Sequence, residues 1–157
     1  MPEQLLYSSI STASNFKPLL SDILHCARRN NPALGISGLL LTADDICVQL
    51  IEGELEYLEA LFDEICLDTR HERIVVLERR AVEACDLPTW AMGYVEAGQD
   101  EAELIEMARD AQSGITAPVN ITDLMIRIAR KRQLAALDKG LLHWAKGRLT
   151  SEGAFDR

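Results

Sequence analysis

The sequence predicts an α+β fold on three observations. Apolar, strand-like runs and amphipathic helical stretches follow one another in the order βαββαββ, and two helices alternating with strands in that way give a ferredoxin-like sheet with both helices on one face. The runs Leu39-Leu40-Leu41 and Ile46-Cys47-Val48 are apolar on both sides instead of alternating, so both sheet faces are covered. Further helical patterns beyond residue 98 supply the second cover, because the two crossing helices occupy only one face.

Each element carries its own signal. Gln4–Ile10 is a short apolar run and the first strand. Ser14 is the candidate N-cap of a helix whose apolar residues Phe16, Leu19, Leu20, Ile23, Leu24 and Ala27 follow i, i+3, i+4, i+7 spacing. Arg28-Arg29-Asn30-Asn31-Pro32 is expected to end it, since proline disfavours helix in the residue before it. Gly35–Thr42 and Ile46–Glu52 flank Ala43-Asp44-Asp45 and read as a β-hairpin. After Gly53, Leu55, Leu58, Phe62, Ile65 and Cys66 mark a second amphipathic helix. Arg73–Glu83, rich in Val and Ile, is the next strand, and Pro88 precedes a last short strand near Met92–Val95. Glu101–Gln112 places Leu104, Ile105, Ala108 and Ala111 on one stripe, and Gly114 and Pro118 break it. A final helix starts at Asn120 or Thr122, with Ile121, Leu124, Met125 and Ile128 on one face. Packing on the naked sheet face or in a partner's groove explains both patterns. These elements divide into a body, residues 1–97, and a helical extension, residues 98–157.

Composition narrows the function. With 157 residues, 48% hydrophobic and 26% charged, the chain is long enough to bury a core without staples and is not of the disordered class. No segment approaches the roughly 20 apolar residues of a membrane span, and MPEQLLYSS lacks the regions of a signal peptide, which places the protein in the cytoplasm. Cys26, Cys47, Cys66 and Cys85 form no CxxC pair and His25, His71 and His143 are scattered, so no metal site is expected. Residues 1–117 hold 8 Lys and Arg against 21 Asp and Glu, whereas residues 118–157 hold 8 against 4. An acidic body argues against nucleic acid, even with Arg127, Arg130, Lys131 and Arg132 in the tail. That basic tail suits an acidic partner, phosphate or the body itself.

Four stretches stand out together: Leu5-Leu6-Tyr7-Ser8-Ser9, Asn30-Asn31-Pro32-Ala33-Leu34-Gly35-Ile36-Ser37-Gly38, Val48-Gln49-Leu50-Ile51-Glu52-Gly53, and Trp90-Ala91-Met92. With an Asp-x-Arg-His run, Asp68 to His71, their order and spacing resemble the BLUF family, sensors of blue light using FAD. The resemblance covers about residues 4–97. Taken singly, Tyr7 reads as a strand aromatic, Gln49 as a core amide, Asn30-Asn31-Pro32 as a helix stop, Arg70-His71 as a turn, and Trp90 and Met92 as core. The conjunction carries the functional reading.

The resemblance implies a noncovalently bound FAD (FMN is the alternative) between the two crossing helices. It implies Tyr7 as the photoactive tyrosine and Gln49 as the glutamine between it and the flavin. Asn31 and Asn30 then face the C4 and C2 edge of the ring, Arg70 its polar edge or tail, and Trp90 and Met92 flank the glutamine. The residue types suit the chemistry. An excited flavin is a strong oxidant, a phenol losing an electron must lose its proton, and a primary amide both accepts and donates. On Ile46–Glu52, Cys47, Gln49 and Ile51 share one face, and a buried amide there costs a few kcal/mol unless hydrogen-bonded. Ser37 replaces the family's usual threonine, and Cys47 stands where an aromatic is common.

Output through a separate signalling protein follows, since residues 98–157 are too few for the cyclase or phosphodiesterase domains of larger members; a homodimer or larger homo-oligomer is expected, without nucleic acid or membrane. The chain is expected not to be an enzyme. Acylphosphatases share the fold, but no phosphate-cradling glycine loop with a positioned arginine is present. A light-insensitive flavin-binding or protein-assembly module is the remaining alternative.

Overall fold

The computed structural model describes residues 1–138, and the side chains of residues 1–133. The elements are β1 (Pro2–Ser11), α1 (Leu20–Leu34), β2 (Ser37–Ala43), β3 (Ile46–Glu54), α2 (Leu55–Leu67), β4 (His71–Ala81), β5 (Gly93–Glu96), α3 (Ala102–Gln112) and α4 (Ile121–Asp138). One five-stranded sheet has the order β4-β1-β3-β2-β5. Its first four strands are antiparallel, and β5 adds in parallel beside β2. This is the ferredoxin-like arrangement expected from the element order.

The sheet separates two cores. Leu5, Tyr7, Leu40, Cys47 and Ile51 face α1 and α2 and pack with Phe16, Leu24, Leu58 and Met92. Leu6, Leu39, Leu41, Val48 and Leu50 point the other way, against Leu104 and Ala108 of α3 and Ile121, Met125 and Ala129 of α4. Period-2 side-chain alternation on β3 feeds both cores, which is why that strand is apolar on both sides. The second cover is thus the C-terminal helices, and three basic residues of the tail, Arg130, Lys131 and Arg132, reach acidic groups earlier in the chain. Arg130 pairs with Asp86 at 2.9 Å, Lys131 with Asp100 at 3.2 Å, and Arg132 with the buried Glu101. Residues 139–157, which include His143 and the rest of the extension, lie outside the described residues.

Three local expectations need correction. Ser14 does not cap α1. It sits in the loop at φ 61°, and a 3-10 turn over Lys17–Leu19 leads into the helix, with Asn15 Oδ1 accepting the Lys17 N–H at 3.0 Å. Pro18 in that turn has no N–H to satisfy. Nor does α1 stop at Arg28–Pro32: Pro32 lies inside the helix, which runs to Leu34. A proline this close to the end removes a single i→i−4 bond, and Gly35, at φ 66°, terminates the helix with its N–H on the Pro32 carbonyl. Asn31 therefore belongs to the helix and is turned inward by it.

The last strand begins later than the sequence suggests. Leu87-Pro88-Thr89-Trp90 closes a turn, with the Trp90 N–H on the Leu87 carbonyl at 3.0 Å, and β5 opens only at Gly93. Trp90 and Met92 precede the strand, so strand alternation does not apply to them. They enter opposite cores although they are two residues apart.

Candidate functional site

A cavity of about 560 Å³ lies between α1, α2 and the sheet face. Its walls are Ile23, Ala27 and Leu34 from α1 and Ala60, Leu61 and Ile65 from α2. Its floor is Tyr7, Leu40, Cys47, Gln49 and Met92. That size and apolar lining, with a few convergent polar groups, suit one planar organic ligand.

The polar floor is built by register. Tyr7 on β1 is directly opposite Gln49 on β3. The Tyr7 hydroxyl donates to Gln49 Oε1, and Gln49 Nε2 donates to Met92 Sδ at 3.4 Å. Gln49 is only 6% exposed, so these contacts answer the desolvation of its amide. Burial pushes the Tyr7 phenol well above its ordinary value, with the neighbouring Cys47 thiol acting in the same direction. The phenol is accordingly neutral and hydrogen-bonded at rest. Phe62 packs on it with ring centres 5.6 Å apart.

Cys47 joins a second polar run on the same floor. Its thiol is 3.1 Å from Ser9 Oγ, which is 2.7 Å from His71 Nδ1, and His71 Nε2 meets the Ile65 carbonyl at 2.7 Å. A carbonyl only accepts, so Nε2 carries a proton, and Nδ1 shares its hydrogen bond with the Ser9 hydroxyl. Burial drives the Cys47 thiol up to about 11.

The structure brings Tyr7, Asn30, Asn31, Gln49, Arg70 and Met92 to one cavity. Asn31 is buried and its Nδ2 donates to the Ala91 carbonyl at 3.0 Å, which leaves its Oδ1 for a ligand edge. Asn30 lies exposed at the rim. Arg70 is also at the rim, held by Asp68 through bonds of 2.6 and 3.0 Å. That contact lowers the Asp68 carboxyl and raises the guanidinium. Trp90 does not join them: its side chain is buried against β2 and the C-terminal helices, where a Cβ on Gly93 would lie 2.0 Å from the indole. Two amides thus face the cavity, Asn31 from α1 and Gln49 from β3, beside the Tyr7 hydroxyl and between apolar walls.

Two residues of this region were not singled out by sequence reasoning. Arg28, on the buried face of α1 with Leu24 and Asn31, donates from Nε to the Met92 carbonyl at 2.9 Å. Its signal was a cation one helical turn beyond Leu24, inside an apolar stripe. Glu52, completely buried, accepts from Gln4, Ser37, and the Asp86 and Leu87 amides, and so anchors the turn that leads to Met92. A lone carboxylate in an apolar strand run was the trace it left.

Comparison with known proteins places these features. The family model described as sensors of blue light using FAD (BLUF) matches residues 3–93. The photoactivated adenylate cyclase subunit alpha of Euglena gracilis is 41% identical over 76 residues, 47% of this chain but 8% of that protein. The photo-activated state of BlsA superposes with a TM-score of 0.68 at 30% identity, covering 81% of this chain and 93% of that one. Klebsiella pneumoniae BlrP1 with FMN and cyclic diGMP gives a TM-score of 0.60 at 29% identity, covering 87% of this chain and 34% of that one. The chain therefore spans a small part of the curated relative it matches.

Proposed function

The chain belongs to the BLUF family, sensors of blue light using FAD, and on that premise we propose that its flavin lies in the cavity between α1 and α2 and that Tyr7 and Gln49 are its photoactive pair. The observation that carries the reading is the continuous series Tyr7 hydroxyl, Gln49 amide and Met92 thioether on the cavity floor. When bound, the flavin supplies blue-light absorption and an excited state that oxidises a nearby phenol. Asn31, through its free amide oxygen, orients the ring edge, and Asn30 and Arg70 hold the polar rim. FAD is the proposed form, with FMN as the alternative.

Tyr7 is the electron donor, and its proton has one short route, onto Gln49 Oε1. A reoriented amide no longer donates Nε2–H to Met92, so the thioether contact changes with the orientation of Gln49. Apolar walls from α1 and α2 exclude water that would otherwise compete for these bonds. Met92 and Trp90 begin the stretch that joins the cavity to the opposite core, where α3 and α4 pack. The body, residues 1–97, is proposed as the sensor and residues 98–157 as its readout, acting in the cytoplasm on a separate signalling protein, as a homodimer or larger homo-oligomer and without enzymatic activity of its own.

The visible spectrum of purified protein before, during and after blue light tests this. A flavin spectrum that shifts slightly to the red and recovers in darkness is expected, and Tyr7→Phe and Gln49→Leu abolish the shift. Protein that stays colourless after reconstitution with FAD refutes the reading and favours an assembly module; a stable yellow protein without a shift favours passive flavin binding.

A further inference from the structure

Three successive carbonyls before β5 are each held by a donor from another element. The Gly38 N–H of β2 bonds the Trp90 carbonyl at 3.0 Å, Asn31 Nδ2 bonds Ala91 at 3.0 Å, and Arg28 Nε bonds Met92 at 2.9 Å. The third donor is the unusual one. Arg28 is 8% exposed, on the helix face it shares with Leu24 and Asn31, and burial pulls its guanidinium down to about 10. A cation is held at such depth only where hydrogen bonds answer its lost hydration. Charge-assisted bonds are also the stronger and more directional ones.

We propose that Arg28 is a positioning residue for the light response: by holding the Met92 carbonyl it keeps Met92 Sδ where Gln49 Nε2 donates to it, and so favours the dark orientation of the Gln49 amide. This rests on the photoreceptor reading above. The geometry gives the direction of the effect. If the amide turns, Oε1 replaces Nε2 opposite the sulfur, two lone-pair atoms meet, and Met92 has to move. Arg28 grips the backbone of that same residue and opposes the movement. Removing the grip lowers the advantage of the dark arrangement and slows return to it.

Dark recovery after a blue pulse, followed in flavin-loaded protein, tests this. Arg28→Gln is expected to slow recovery about tenfold, equivalent to about 1.4 kcal/mol on the barrier. Arg28→Lys keeps a cationic donor and restores part of the rate. In a Met92→Leu background, with no sulfur to position, Arg28→Gln changes recovery less than twofold; a merely structural role gives the same slowing in both backgrounds. Recovery of Arg28→Gln within twofold of the parent, or equal slowing with and without Met92, overturns the proposal. Should Arg28→Gln fail to fold or load flavin, Arg28→Lys decides: a threefold or greater slowing supports the proposal and parental kinetics overturn it. A parent that loads flavin but has no photocycle refutes the photoreceptor reading itself, an outcome distinct from either.

Discussion

Replacing Glu52 by glutamine removes a charge and one acceptor while keeping the side chain's size. Oε1 accepts from Ser37 Oγ at 3.0 Å and the Leu87 N–H at 2.6 Å; Oε2 accepts from Gln4 Nε2 and the Asp86 N–H, both at 3.0 Å. Turned toward Gln4 and the Asp86 N–H, the new NH₂ faces two donors; turned toward Ser37 and the Leu87 N–H it faces one, since the Ser37 hydroxyl can rotate and accept. At least one hydrogen bond to a charged acceptor is lost, worth about 1.5–3 kcal/mol, and the remaining bonds lose their charge assistance. The variant is relieved of holding a buried charge, which offsets part of this. A net loss of about 3 kcal/mol is expected, or about 6–12 °C in Tm for a domain of this size. Thermal unfolding of flavin-loaded parent and Glu52→Gln measures it, with Glu54→Gln as the control. Glu54 is exposed and, among the described residues, pairs with the N-terminal ammonium at 3.2 Å, so its replacement shifts Tm by no more than about 1–2 °C. A Glu52→Gln shift no larger than that of the control refutes the assignment of Glu52 as the anchor of the turn before β5.

Gly38→Ala puts a Cβ 2.1 Å from the Leu50 carbonyl oxygen, an atom of the backbone that cannot swing aside, and is expected to cost about 3 kcal/mol or more; a Tm within 2 °C of the parent contradicts this close approach of β2 and β3. Alkaline pH destabilises the protein in part through Cys47, whose buried thiol is raised from 9.0 to about 11. Below pH 9 both folded and unfolded chains keep that proton. Between pH 9 and 11 the unfolded chain releases it first, so stability falls, by about 2.7 kcal/mol once pH exceeds the folded value. Cys47→Ser, compared with the parent in urea titrations at pH 8 and 11, should lose less stability over that interval by about 2.3 kcal/mol, since the folded thiol is half-titrated at pH 11; equal losses refute the shift.

Much of this protein was legible in its sequence because the governing physics is local. Periodicity set the strands and helices, and apolar runs on β2 and β3 called for two covers, which α1 with α2 and α3 with α4 provide. Motif spacing brought Tyr7 and Gln49 together, since both sit on strands that only one register aligns with both faces buried. Asn31 was recognised as a site residue but misread as part of a helix stop. Proline preferences are averages, and near a helix end the tertiary contacts of Arg28 and Asn31 outweigh them.

What only the tertiary structure decided lies in the turn before β5. Sequence alternation cannot tell whether Trp90 and Met92 share a face, because that depends on whether the residues are strand or turn. The answer is fixed by distant donors, Gly38, Asn31 and Arg28, and by the Glu52 carboxylate from β3. These bonds join residues up to 64 positions apart, and no local propensity encodes them. They send Met92 to the cavity and Trp90 to the opposite core, because only the folded sheet creates two buried sides for that turn to choose between.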